Sequence, residues 1–352
     1  MARTWAVGLA LFAHGISTFG GVATLGDASP FVQLLVRTAT PTFVFMFGIM
    51  LELVYARRAR SDGMRPVTRR LLLRSAQCYL GYQLTVVAAV IGGYLTAGDG
   101  AEALVFLQNS RFGNILRFYS FAMLAAIPII WLRLRVGPSI YAVLLVLVWA
   151  AVPTLAALEG RVGSGPLGSW AGILFGIGEM RVGPSVWHGM TFTLAGMMIA
   201  TTLVGFRSAA FSLRSFRRFS AGVIAICALI AAWLVFESSA FEVGKAFANF
   251  EYRSSNHIGY YAIGLIASTS TLVLLSAVVP VHGVLADWTR TPLALGTSSL
   301  LSFTAGNVML NLIPEPLVAL GTGMPIAAAL SMIGVVALLV SRPIMSRCYR
   351  SA

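Results

Sequence analysis

Acidic residues are scarce in this sequence: 12 aspartates and glutamates in 352 residues, against 25 lysines and arginines. Charged residues of both signs reach only 11%, where a soluble domain carries about a quarter. That shortage excludes an ordinary water-soluble enzyme. The three cysteines, Cys78, Cys227 and Cys348, stand far apart, which excludes a disulfide framework and a thiolate metal knuckle. No His/Asp/Glu spacing points to a metal, and no glycine-rich phosphate loop is present. "GSGPLG" is loop composition only. A long hydrophilic stretch and an internal repeat are both missing, so residues 1–352 read as one domain.

What is abundant is apolar sequence. Hydrophobic residues make up 58% of the chain and come in blocks of the length that crosses about 30 Å of hydrocarbon as helix. The expected fold is an all-α polytopic membrane protein with about ten transmembrane helices, over about 5–25, 33–56, 72–97, 115–134, 139–158, 187–206, 219–240, 258–280, 293–313 and 323–341. The N-terminal run mimics a signal peptide but lacks a small-residue cleavage site, so it reads as a retained first helix. The longest loop expected is 159–186. The net charge of +13 does not mark a nucleic-acid surface, because the basic residues fall in short loops between apolar blocks. With the N-terminus inside, eighteen of the 25 lie on cytoplasmic segments, among them Arg3, Arg57, Arg69, Arg70, Arg74, Arg133, Arg207, Arg217 and Arg347. The other face holds five: Arg111, Arg161, Arg181, Lys245 and Arg253. Both termini are therefore expected in the cytoplasm.

The first helix, "MARTWAVGLALFAHGIST", carries a cation at its cytoplasmic mouth and an imidazole near its middle. Arg3 and His14 are eleven residues apart, about 16 Å along the axis and just over three turns, so they share one face. That face suits a long anionic ligand whose phosphates meet the arginine while its reactive end reaches the histidine through one continuous channel. A histidine bonded to a neighbouring helix and an arginine chosen by topology are the plainer uses of the same residues. In "RPVTRRLLLRSAQCYLGYQ", Arg69, Arg70 and Arg74 gather at the start of the third span, with Arg70 and Arg74 four apart on one side. Guanidinium clusters bind phosphate through several directed hydrogen bonds. Gln77 follows by three residues and is placed to line the same channel. Arg37 and Arg117 fall at the outer ends of spans, as a vestibule for an acceptor or as partners of Glu237. Asn307 and Asn311, four apart, fit interhelical amide bonding. His188, His257 and His282 read as ordinary interfacial histidines.

Arg3 and His14 resemble the Arg-x10-His motif in the first helix of acyltransferase family 3 membrane proteins. "TPTFVFMFGIMLELVYARR" is similar to that group's second helix and "RRLLLRSAQCYLGY" to its third. "NILRFYSFAMLAAIPIIWL", "PSVWHGMTFTLAGMMIA" and "LALGTSSLLSFTAGNVML" are most similar to its OpgC branch, which includes periplasmic glucan succinyltransferases. The resemblance implies a multi-pass enzyme of the inner (plasma) membrane, moving an acetyl or succinyl group from cytoplasmic acyl-CoA to a hydroxyl of an envelope glycan. His14 would be general base or acyl relay, and Arg3, Arg70 and Arg74 would hold CoA. From the residues alone, Arg69 is expected to join that cluster, and Arg37, Arg117 and Gln77 to face the substrate. A transporter or flippase for an anionic or lipid-linked substrate is the competing reading. Inverted repeats, common in transporters, are not evident in its favour.

Overall fold

The computed structural model describes residues 1–21, 25, 29–163, 165–178, 183–203, 213–278, 290–313 and 324–341. Arg181, Arg207, Arg342, Arg347, Arg350, His282 and Cys348 lie outside the described residues. Among those described, the regular structure is all helix.

Helix α1, Ala2–Thr18, is built from alanine, leucine and other residues that fit a helix, and it stops where Gly20 turns to φ +69°. This end comes well short of the expected residue 25. Helix α2, Ser29–Arg37, and α3, Ala39–Met50, divide the expected second span at Thr38. Pro41 explains the break, since a proline ring crowds the carbonyl four residues before it. A π-helical turn, Leu51–Ala56, then leads into α4, Arg57–Asp62. Helix α5, Met64–Ile91, takes in the whole arginine cluster. Helices α6, Ala97–Leu104, and α7, Asn114–Val136, follow.

Helices α8, Ile140–Ala150, and α9, Val152–Val162, bend by 45° where Pro153 again blocks continuation. The expected loop 159–186 contains a further helix, α10, Pro166–Phe175, opened by its proline and ended by Gly176 in the left-handed conformation. The rest are α11, Val186–Leu203; α12, Leu213–Glu237; α13, Ala240–Ala248; α14, Glu251–Ser254; α15, Ile258–Val278; α16, Arg290–Thr297; α17, Ser299–Leu312; and α18, Pro325–Ser341. Among the described residues four helical stretches are long and apolar enough to cross a membrane, Ser29–Asp62 taken as one continuous run, Asn114–Val136, Arg218–Glu237 and Ile258–Ala277, or five if the bent α8–α9 pair is one span. One of them, the apolar length of α12, is only 17% buried and presents Phe236 at 87% exposure, as a surface in contact with hydrocarbon would.

Helix α1 lies inside the bundle, against α3, α16, α17 and α18. Its Gly15 meets Ala329 of α18 so closely that a Cβ there would come within 2.9 Å. The tightest backbone approach joins α3 and α11. A Cβ on Gly48 would overlap the carbonyl oxygen of Thr193, and one on Gly196 that of Phe45. Small residues at such points let dispersion contacts replace the hydrophobic drive that lipid removes.

Within the π-helical turn, the Glu52 carboxylate is 1% exposed, and its partners come from three elements. Arg133 donates to both carboxylate oxygens, at 2.8 and 3.3 Å, the Tyr141 hydroxyl donates to one of them, and Arg60 stands 3.7 Å away. A lone acid in an apolar run was the sequence signal for this knot.

Candidate functional site

One face of α17 organises the site. Ser299, Phe303 and Asn307 recur every four residues, all at most 4% exposed, and each meets the polar face of α1 at a different depth. The Arg3 guanidinium donates to the Ser299 hydroxyl. The His14 Nδ1 is 3.0 Å from the Asn307 Oδ1. Both contacts advance in the same chain direction, so α1 and α17 run parallel. The common face expected for Arg3 and His14 is thus occupied by a single partner helix.

The hydrogen bonding fixes the histidine's tautomer. Asn307 Nδ2 donates to the Phe112 carbonyl oxygen at 2.9 Å, so its amide oxygen must face the ring. An amide oxygen only accepts, so Nδ1 carries the hydrogen and Nε2 keeps a lone pair. The ring stacks on Phe112 at 4.3 Å and meets Phe303 edge-on at 5.8 Å. Phe112 itself sits at φ +61°, in the left-handed region that bulky residues avoid. Strain of this kind concentrates at functional sites.

Two cavities meet at Phe303, and one of them reaches His14. One, of about 310 Å³, is lined by His14, Gln33, Arg37, Asn114, Phe250 and Arg253 among others. Phe250, at φ +65°, supports both cations: Arg37 lies 3.5 Å over its ring centroid and Arg253 4.7 Å. Arg37 also donates from Nε to the Ala248 carbonyl at 2.9 Å. The second cavity, of about 210 Å³, is lined by Arg3, Tyr55, Arg70, Arg74 and Cys78. Phe303 lines both. It stacks on Phe43 at 6.1 Å, which in turn lies under Arg3 at 5.9 Å.

The expected continuous channel from Arg3 to His14 is therefore two chambers separated by an aromatic wall. The reason lies in the stripe itself: the position between Ser299 and Asn307 is a phenylalanine, whose ring fills the gap their short side chains leave. Arg3, Arg70 and Arg74 come together as expected. Arg69 is exposed and lines neither chamber, and Gln77 accepts a hydrogen bond from Arg74 at 3.0 Å on the same helix. Arg37 reaches the His14 chamber, while Arg117, only 2% exposed, lines neither. Arg37 and Glu237 form no ion pair.

Asn307 and Asn311 do bond across helices. Asn311 donates to the Thr85 and Arg111 carbonyls at 3.2 and 3.4 Å. His188 is packed inside the bundle, 5% exposed, bonded to Ser185 at 2.8 Å beside Trp149 and Tyr261. Sequence reasoning missed three residues of the site. Phe303 carries no polar signal, Arg253 was absorbed into the charge count, and the link of Asn307 to His14 spans 293 positions.

A family model described as "OpgC protein" matches residues 35–105, the stretch from the end of α2 through α6 that bears Arg37, Glu52, Arg70 and Arg74. No curated protein matches the chain, and no solved structure does.

Proposed function

We propose that the chain is a membrane O-acyltransferase of the OpgC and acyltransferase family 3 type. It takes an acetyl or succinyl group from acyl-CoA and delivers it to a hydroxyl of an envelope glycan. The observation that carries this reading is the α17 stripe, which holds a phosphate-binding type of cation and a tautomerically fixed imidazole on either side of one aromatic ring. The match over residues 35–105 supports the family.

In this reading the chain crosses the inner membrane ten times with both termini in the cytoplasm. The Arg3 chamber then opens to the cytosol and the His14 chamber to the other side. A chamber of about 210 Å³ lies below the range of about 300–1,000 Å³ usual for whole ligands. It takes the thioester arm, leaving the nucleotide of CoA at the mouth, where Arg70 and Arg74 meet its phosphates and exposed Arg69 adds charge. The acceptor enters the other chamber, beside Arg37. Gln77 orients Arg74, and Arg117 adds positive potential from within the bundle.

His14 Nε2 removes the proton from the acceptor hydroxyl as its oxygen attacks the thioester carbonyl. The C–S bond breaks as the ester forms, and the proton passes from Nε2 to the departing thiolate of CoA. Positioned base catalysis of this kind is worth about 10²–10⁴-fold. In the relay version Nε2 is itself acylated first, and the acceptor hydroxyl then attacks the acyl-imidazole. Both versions require the thioester carbonyl or the hydroxyl to pass the Phe303 ring.

Two chambers facing opposite ways across a thin wall also suit a carrier that alternates access, and this favours a transporter or flippase as the second reading. Reconstituted protein given labelled acyl-CoA and a glucan oligosaccharide decides between them. Acyl transfer that His14→Ala abolishes, with acyl-CoA binding retained, is the expected result. Passage of an unmodified substrate across the liposome, with no acyl transfer, would establish the carrier instead.

A further inference from the structure

The His14 chamber contains more positive charge than a neutral sugar needs. Arg37 and Arg253 reach it from α2 and α14, far apart in sequence, and both lie over the Phe250 ring. A third cation, Arg111, stands just behind the histidine's stacking partner, 4.8 Å from the Phe112 ring centroid. Among the described residues none of the three forms an ion pair. Arg111 donates from Nη2 to the Thr18 hydroxyl at 3.2 Å and lies over the Tyr94 ring, but among the described residues its Nη1 and the Nε of Arg253 are buried nitrogens without a hydrogen-bond partner. Like charges brought together in a low-dielectric cleft repel strongly unless an anion lies between them. A buried guanidinium nitrogen with nothing to donate to is likewise costly. Phe250, whose ring lies under both cations, is fixed in the left-handed region at the junction of α13 and α14.

We propose that this chamber is an anion site, and that the acceptor it takes carries a fixed negative charge, a phosphate-ester or carboxylate substituent. Arg37 and Arg253 hold that group while a hydroxyl of the same molecule faces His14. This assignment rests on the acyl-transfer reading for the word acceptor. The anion site itself stands on the geometry. Arg253 is then a binding residue of equal standing with Arg37, and the fixed charge selects which hydroxyl is presented to the base.

The test uses the full chain in nanodiscs of zwitterionic lipid, with two probes: a glucose oligosaccharide bearing a glycerol-phosphate ester, and the same oligosaccharide without it. Binding is measured with no acyl donor present, and transfer is measured separately with acetyl-CoA and with succinyl-CoA. The phosphate-bearing probe should bind about tenfold tighter or more, as hydrogen bonds to a charged group warrant. The preference should shrink as salt is raised. Arg253→Gln and Arg37→Gln should each reduce it, Arg253→Lys should retain part of it, and Lys245→Gln, at an exposed site outside the chamber, should leave it intact.

Equal binding of the two probes overturns the anion site whether or not transfer occurs. A charge preference without acyl transfer from either donor overturns the acceptor role and the enzyme reading with it. If the arginine variants impair succinyl but not acetyl transfer, and leave the probe preference unchanged, the cations serve the donor's carboxylate and the proposal falls. Loss of the preference in phosphatidylglycerol nanodiscs at constant ionic strength would assign the site to a lipid headgroup instead.

Discussion

Replacing Asn307 with alanine separates the orientation of the histidine from its presence. The Asn307 side chain is 0% exposed and bridges two other elements, taking the Nδ1 hydrogen of His14 at 3.0 Å and donating to the Phe112 carbonyl at 2.9 Å. Side-chain hydrogen bonds between membrane helices are worth about 0.6 kcal/mol on average and about 1.7 at most. Losing both should therefore cost about 1–3 kcal/mol, seen as a lower melting temperature in detergent. The effect on rate has a different origin. Without an acceptor at Nδ1 the ring can carry its hydrogen on Nε2 and can rotate, so the lone pair no longer points where the base is needed. Removing the hydrogen-bond partner that orients a metal-bound histidine typically costs about 10–100-fold in activity, and a loss of that order is expected for this ring. That is less than the loss expected for His14→Ala, and the KM for acyl-CoA should stay unchanged because Arg3, Arg70 and Arg74 are untouched. Asn307→Asp offers an oxygen to Nδ1 but none of the donor that Phe112 needs. It should restore part of kcat without restoring stability. A kcat for Asn307→Ala within about twofold of the parent, alongside an inactive His14→Ala, would refute the tautomer reasoning.

Phe303→Ala should merge the two chambers, so that water reaches the bound thioester and acyl-CoA hydrolysis without acceptor rises relative to transfer. Unchanged hydrolysis in a stopped-flow thiol assay would mean that Phe303 is not the wall. Glu52→Gln removes the charge that compensates Arg133, which is only 11% exposed, and breaking a buried pair in this way costs about 3–5 kcal/mol. Arg60→Ala at the same carboxylate should cost under about 1 kcal/mol, since Arg60 is 42% exposed and 3.7 Å away. Thermal unfolding of the two variants side by side checks the contrast, and equal losses would show that the Arg133 bond is not what holds Glu52.

The eleven-residue interval between Arg3 and His14 was readable because helical periodicity is local, and both residues do face one partner. The partner was not readable, because no local rule pairs residue 14 with residue 307. The asparagine pair announced an interhelical amide without saying to which helix. Prolines 41 and 153 carried the breaks at Thr38 and Ala151, yet both stretches looked like uninterrupted apolar runs when only hydropathy was weighed. Pro166 and Gly176 likewise bracketed α10 with a proper start and stop, which the glycine content around them obscured. Phe303 belongs to another class of omission. Phenylalanine in a membrane span is ordinary, and only the two chambers on either side give this one a role.

The contact between α3 and α11 divides the molecule into parts that hold still and parts that can move. With the main chains touching at Gly48 and Gly196, a slide of one residue would drive a side chain into a carbonyl, so these two helices behave as a single strut. Thr40 of α3 borders one chamber, and Phe43 and Phe47 the other. The strut thus supplies a fixed jaw, and whatever opens a passage around the ring of residue 303 must come from the opposing jaw formed by α1 and α17.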